Sequence, residues 1–267
     1  MERLNVIKVG GAVVEDPASL ASLLSQFAGM PGRKVLVHGG GRSATRIAAS
    51  LGIESQMVGG RRITDAEMLR VVTMVYGGLV NKNIVAGLQA RQVNAIGLTG
   101  ADMDIIRSHR RPLKKVKMED GSEQMVDFGF VGDVDCVNGE ALSALIEAGA
   151  VPVVAPLSHD GEGSMLNTTA DTIASEVACG LAQAYDVTLT FCFEKKGVLR
   201  DAEDDDSVIS TITEADFQQL REDGIVSGGM LPKLENAFAA LHRGVREVVI
   251  THAGNINGDQ GTKIIVG

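Results

Sequence analysis

The stretch Lys34–Arg46, KVLVHGGGRSATR, decides how the chain is read. Val35-Leu36-Val37 has the composition of a short buried strand. It stops at His38 and three glycines, Gly39, Gly40 and Gly41, and Arg42 to Leu51 then has the composition of a helix. Glycines at a strand-to-helix junction let backbone amides approach an anion, and the helix N-terminus adds the positive end of its dipole. The same glycines also meet the purely steric needs of a tight turn. By themselves they leave both readings open.

Working outward, the strand–helix rhythm repeats. Leu4–Val9 reads as a strand ending in Lys8-Val9-Gly10-Gly11, and Ser19–Met30 as a helix. Thr64 caps a long helix running to about Arg91, with Asp65 and Glu67 in its first turn and a break near Gly77-Gly78. Further strands fall at Ala95–Leu98, Val151–Ala155, Val187–Phe193, Glu247–Thr251 and Lys263–Val266. Helices fall at Gly139–Ala148, Ala170–Leu181, Thr213–Glu222 and Gly229–Arg243. In the Ala170 helix, Ile173, Ala174, Val177, Ala178 and Leu181 form one apolar stripe. Leu113–Met118 and Gln124–Phe130 flank Asp120-Gly121 and predict a β-hairpin, an excursion from the rhythm. The alternation predicts an α/β fold with a mainly parallel sheet covered on both faces, one continuous fold of two lobes, with ligands at the carboxyl ends of the strands.

The totals narrow the function. A chain of 267 residues with 45% hydrophobic residues and 32 glycines suits a well-packed fold with many tight turns. A net charge of −9 argues against nucleic acid as the partner, so an anionic small molecule would need local cations. Cys136, Cys179 and Cys192 fit no metal or redox spacing and read as reduced core or near-core residues. A strand-like start leaves no signal peptide, and no apolar run reaches the roughly 18–20 residues of a membrane span. A cytoplasmic protein with no membrane partner is expected. The acidic run Glu203–Asp206 reads as a solvated loop.

Individual cations then become informative. Lys8 closes a strand before two glycines, where a compact charge beside backbone amides suits a phosphoryl oxygen, although a strand-end surface lysine looks the same. Gly39–Gly41 lacks the third glycine of a dinucleotide fingerprint, and no Walker A sequence occurs. Arg62 lies in a glycine-led loop before a helix cap, where its guanidinium can take a carboxylate in bidentate fashion. Asn167, Thr168 and Thr169 precede Asp171, itself a favourable charge in the first turn of a helix. Lys233 follows Gly228-Gly229-Met230-Leu231-Pro232 near a helix N-terminus, the wrong end for a cation, so a local anion is expected to compensate it.

In combination these pieces resemble the amino-acid kinase family, and within it the acylglutamate branch, over essentially the whole chain. The resemblance rests on Ile7–Gly11, Val37–Gly41, Gly60–Thr64, Met165–Asp171 and Gly228–Lys233. It implies a three-layer αβα open sandwich. An N-terminal lobe, residues 1–166, would bind the acyl amino acid and dimerise; a C-terminal lobe, residues 167–267, would bind ATP, with Mg2+ carried by the nucleotide and no metal site on the protein. The implied activity is ATP-dependent phosphorylation of the side-chain carboxylate of an N-acylated glutamate, N-acetylglutamate to N-acetylglutamyl 5-phosphate, in arginine biosynthesis.

The same resemblance implies residue roles. Lys8 and Lys233 would stabilise the transferring phosphoryl group and Asp171 would orient them. Backbone amides at Gly10, Gly11, Gly40 and Gly41 would hold the γ-phosphate side and the attacking carboxylate. Arg62 and Asn167 would grip the α-carboxylate, and Glu194, Gly197, Val198 and Leu199 would border the nucleotide. Phosphoryl transfer of this kind needs positioning and charge neutralisation, and a carboxylate nucleophile is already ionised at neutral pH. Two stretches depart from the family pattern: Phe193–Leu199, where a threonine–aspartate–valine run is usual, and Thr169, where asparagine is common. Arginine-inhibited members carry an extra N-terminal helix. Only seven residues precede Lys8, so a homodimer without that feedback site is expected. N-succinylglutamate, another amino-acid kinase substrate, or a non-enzymatic amino-acid and nucleotide sensor remain as alternatives. A succinyl pocket would need an added cation, for which Arg61, Lys82 and Arg91 are available.

Overall fold

The computed structural model of the protein describes residues 1–59, 61–117, 121–201, 203–226, 230–256 and 260–266. The first strand, β1 (Glu2–Val9), is buried without interruption from Val6 to Val9, as a strand covered on both faces must be. It enters a short helix, α1 (Gly11–Glu15). Asp16 then restarts the chain as α2 (Pro17–Gly29): its side chain accepts the Ser19 N–H at 2.8 Å, and Pro17 occupies the first turn, where no N–H is required. The opening stretch forms β2 (Arg33–His38) and α3 (Gly41–Ser50) as expected.

A ribbon of β3 (Met57–Val58) and β4 (Arg61–Arg62) leads to Asp65, which in place of the expected Thr64 caps α4 (Ala66–Val72), its side chain accepting the Met68 N–H at 2.8 Å. The break expected near Gly77-Gly78 is a widening of the helix instead of an interruption. Thr73–Val80 is π-helical and passes directly into α5 (Asn81–Gln89). By length and composition residues 66–89 could cross a bilayer, which the reading of separate apolar runs overlooked. Met68, Val71, Val72, Val75, Ile84 and Leu88 are instead buried against the sheet, and this accounts for the apolar character.

After β5 (Ala95–Leu98) the excursion is larger than the single hairpin expected. β7 (Lys114–Lys117) and β8 (Glu123–Val126) form that hairpin, whose turn at Asp120 lies outside the described residues. Around it β6 (Ile106–Arg110) and β9 (Gly132–Val137) pair antiparallel. They are joined by β11 (Leu157–His159) and β12 (Met165–Asn167) in a second sheet, which follows α6 (Gly139–Glu147) and β10 (Val151–Val154). Those strands are short and polar, so no periodicity announces them.

The chain finishes with α7 (Ala170–Leu181), β13 (Tyr185–Phe193), β14 (Thr211–Ile212), α8 (Glu214–Glu222), α9 (Met230–His242), β15 (Glu247–His252) and β16 (Thr262–Ile264). The main sheet has the order β14-β16-β15-β13-β1-β2-β10-β5 and is parallel except where β16 meets β15. One core packs α7 and α9 on one face, and a second packs α2, α4 and α5 on the other. This is the expected three-layer α/β arrangement, and it brings the carboxyl ends of β2, β1 and β13 side by side.

Gly129 joins the second sheet to the loop that carries Arg62. Its φ is +70°, and an added Cβ would overlap the Thr64 carbonyl oxygen, which accepts the Phe130 N–H at 2.7 Å. Gly129→Ala should therefore lower the unfolding free energy by about 1–3 kcal/mol, read from the denaturant midpoint.

Candidate active site

Register puts the site where it is. Lys8 is level with Val37 and Phe191, and Val9 with His38 and Cys192, so three neighbouring parallel strands end together. The Gly10 N–H donates to Cys192 O at 3.2 Å, and the Gly39 N–H to Val9 O at 2.9 Å. A Cβ on Gly39 would stand 3.0 Å from the Gly11 nitrogen. The two glycine loops thus lie backbone against backbone, so close at Gly39 that a side chain there would force them apart. The N–H groups of the first turn of α3 have no intrahelical acceptor, and Gly40 and Gly41, where the helix begins, line a cavity.

His38 anchors this arrangement from within. It is fully buried, with Nδ1 2.8 Å from Gly39 O and Nε2 3.1 Å from the Asn81 amide nitrogen, which also donates to Val153 O at 2.9 Å. Those partners suit a neutral ring that donates through Nδ1 and accepts at Nε2. Burial pushes its pKa down to about 4, against the opposing pull of the Gly39 carbonyl. Asn81 was not singled out from sequence. A polar residue on an apolar helix face was the available signal.

The cations converge on one carboxylate. Thr169 caps α7 by accepting the Thr172 N–H at 3.3 Å and sets Asp171 in the first turn. Asp171 Oδ1 lies 2.6 Å from Lys8 Nζ, and Oδ2 lies 3.8 Å from Lys233 Nζ. The anion expected beside Lys233 is therefore Asp171. Burial works to raise the Asp171 pKa, but Lys8 and then Lys233 outweigh it and hold the carboxyl below the usual carboxylate range. Lys233 Nζ also stands 5.3 Å from the centre of the Phe193 ring, a cation–π distance. Phe193, flagged only as a departure from the family pattern, thus touches a residue of the site.

Two cavities meet here. One, of about 250 Å³, is bordered by Gly40, Arg62, Tyr76, Arg111 and Asn167. The other, of about 310 Å³, is bordered by Lys8, Gly10, Phe193, Glu194 and Lys233. Gly11 and Gly41 line both. In the first cavity Arg62 Nη2 donates to Gly41 O at 3.0 Å and to Thr45 Oγ1 at 2.9 Å, while Nη1 contacts Ser55 Oγ. Buried Asn167 donates from Nδ2 to Thr64 Oγ1 at 2.9 Å. Glu194 faces Arg42 at 3.7 Å across the mouth of the second cavity.

Other expectations land elsewhere. Val198 is buried and donates its N–H to Thr262 Oγ1 at 2.8 Å, Gly197 packs against Thr262 and Val208, and Leu199 bridges to Val208. Lys82 donates to Gly97 O, and Arg91 to Gly87 O and Ala21 O, away from both cavities. Gly60, Gly228 and Gly229 lie outside the described residues. Cys179 and Cys192 are buried, with thiol pKa values pushed up by burial to about 11 and about 12, whereas Cys136 is exposed and not in the core as expected. Asp205 and Asp206 of the acidic run are exposed and pair with Lys195 and Lys196.

An open parallel sheet with a split cleft at its strand ends, cationic on one side and amide-rich at the junction, is the architecture of a small-molecule phosphotransferase. The chain belongs to the amino acid kinase family, whose model matches residues 3–252. It is 64% identical over 263 residues to a protein named acetylglutamate kinase from Bacteroides thetaiotaomicron, with 98% of each chain covered. A protein of the same name from Parabacteroides distasonis is 60% identical, over 99% of this chain and 100% of that one. Among solved structures, smu.665 from Streptococcus mutans superimposes with a TM-score of 0.78 at 26% identity, over 99% of each chain.

The buried imidazole makes a pH signature. Unfolded His38 takes up a proton as pH falls below about 6.5, while the folded ring resists until about 4. Stability is therefore complete above the higher value and lost progressively toward the lower, by up to ~3 kcal/mol. Chemical denaturation at stepped pH should show this loss in the wild type and a flatter profile in His38→Gln.

Proposed function

We propose that the protein catalyses ATP-dependent phosphorylation of the side-chain carboxylate of N-acetylglutamate, giving N-acetylglutamyl 5-phosphate for arginine biosynthesis. The single observation that carries the reading is the junction of the two cavities at Gly11 and Gly41, beside the Lys8–Asp171–Lys233 cluster. The likeness to acetylglutamate kinases over nearly the whole chain supports the choice of acceptor.

In this reading the acceptor occupies the cavity beside Arg62 and Asn167, with its α-carboxylate on those side chains. Its side-chain carboxylate points across Gly40 and Gly41 toward the second cavity. ATP lies in the second cavity with its γ-phosphate over Gly10 and Gly11, and Glu194 borders the nucleotide. Lys8 and Lys233 neutralise charge on the phosphoryl oxygens as the bond to the leaving oxygen lengthens, and Asp171 keeps both ammonium groups aimed. No general base is needed, because the attacking oxygen is already ionised. Mg2+ enters bound to the triphosphate as part of the substrate. Both Asp171 oxygens already face lysines, so the cluster suits phosphate oxygens rather than a protein-held cation.

Residues 1–166 would form the acceptor lobe and 167–267 the nucleotide lobe, with the main sheet continuous between them through β1 and β13. A homodimer is consistent with the exposed Met74 and Leu79 on the long helix and with β5 at the free edge of the sheet. One observation favours a second acceptor, N-succinylglutamate. Arg61 and Arg111 border the same cavity as Arg62, and among the described residues Arg61 has no ion-pair partner, although Arg111 is already paired with Asp133 at 2.6 Å.

An ADP-release assay with N-acetylglutamate, N-succinylglutamate, glutamate and aspartate tests the assignment, and no turnover of either acylated glutamate would overturn it. Lys8→Ala and Lys233→Ala should each lower kcat by about 10²-fold or more while ATP affinity changes much less. A nucleotide sensor without chemistry would show only binding changes. If the succinyl reading holds, Arg61→Ala should raise KM for the succinyl substrate and leave that for the acetyl one nearly unchanged.

A further inference from the structure

The π-helical segment Thr73–Val80 is long for a conformation that proteins mostly use as single turns at functional sites. What it presents to the acceptor cavity is Tyr76. The side chain is 5% exposed and borders the cavity, and its ring backs Gly40 so closely that an added Cβ there would stand 3.0 Å from Cδ1 and 3.2 Å from Cε1. Its hydroxyl and Arg62 Nη2 converge over Gly41, each 3.9 Å from the position of a Cβ on that residue. The wider turn changes the angular step between α4 and α5. Met68 and Val72 before it and Ile84 and Leu88 after it lie in one core with Tyr76, whose ring also lies against Gly40 of the glycine loop.

The end of the same segment supplies a second hold. Asn81, the residue following Val80, donates to His38 Nε2, and His38 meets the carbonyl of Gly39. The glycine loop is thus gripped at its start through Asn81 and His38 and at its middle by the Tyr76 ring. Burial raises the phenol pKa, against a smaller lowering from Arg62, so the hydroxyl remains protonated at neutral pH and its oxygen can accept from the Arg62 guanidinium.

We propose that Tyr76 is a positioning residue for the acceptor: its ring fixes the Gly40–Gly41 amides, and its hydroxyl steadies the Arg62 guanidinium beside them. The inference rests on the reading of this cavity as the acceptor site. It adds that the π segment is the device which presets amides and guanidinium relative to each other, so that one acceptor can meet both without reorganisation.

Tyr76→Phe and Tyr76→Leu separate the two contacts. Both are assayed for kcat, for KM of N-acetylglutamate and of ATP, and for thermal midpoint. Tyr76→Phe should raise KM for the acceptor about 5- to 10-fold, the loss of one hydrogen-bonding group, with kcat and KM for ATP nearly unchanged. Tyr76→Leu should lower kcat as well, by about 10-fold or more, because the glycine loop loses its backing; the retained ring of the phenylalanine variant restores that part. Acceptor KM unchanged in Tyr76→Phe, or losses shared equally by both substrates and following the thermal midpoint, would overturn the proposal. A wild-type enzyme that turns over no acylated glutamate overturns the acceptor assignment itself, and the inference with it.

Discussion

Asp171 stands between two ammonium groups that would otherwise repel each other in a half-closed cleft. Two ammonium groups gathered in a cleft out of bulk water repel each other, so Lys8 and Lys233 share one site with an anion held between them. Asp171 supplies only one negative charge for two positive ones, and the cluster keeps a surplus positive charge beside the cavity that Lys8 and Lys233 line. That surplus suits a phosphoryl group whose charge spreads over three oxygens during transfer. Each member arrives on a different element: β1 carries Lys8, α7 carries Asp171 and α9 carries Lys233.

The second constraint is the close approach of the two glycine loops. Gly10–Gly11 and Gly39–Gly41 belong to adjacent parallel strands, and their backbones touch where side chains would separate them. Gly11 and Gly41, which line both cavities, lie at this contact. The contact also explains why the loop needs support from behind. A chain without side chains has little packing of its own, and His38, Asn81 and Tyr76 replace it with hydrogen bonds and an aromatic face.

Much of the fold was legible because apolar runs announce themselves. Val35–Val37, Ala95–Leu98, Val151–Ala155 and Val187–Phe193 read as buried strands, and the stripe on Ala170–Leu181 read as a core-facing helix. The second sheet was not legible, since Ile106–Arg110 and Gly132–Val137 carry charged and polar residues that obscure any period of two. The π segment was also hidden. Gly77-Gly78 marks a weak point in an α-helix, but no local signal separates a break from an added residue per turn. Of the site, Lys8, Asp171, Lys233, Arg62 and Asn167 stood out by residue type and neighbours. Phe193 stood out only as a departure from the family pattern, His38 only as the end of a strand, and Tyr76 not at all, because nothing beside them in sequence reveals what they touch.

By itself the sequence determined the α/β class, the parallel rhythm and the set of cationic and glycine-rich pieces that carry the chemistry, because burial period and backbone freedom are local properties of residue order. Only the tertiary structure decided which pieces meet. Lys8 and Lys233 are brought to Asp171 by strand register and helix packing, and the glycine loops are brought together by adjacent strands. Tyr76 reaches Gly40 through a helical turn of unusual width. Distances across a core depend on how whole elements pack, and no stretch of sequence contains them.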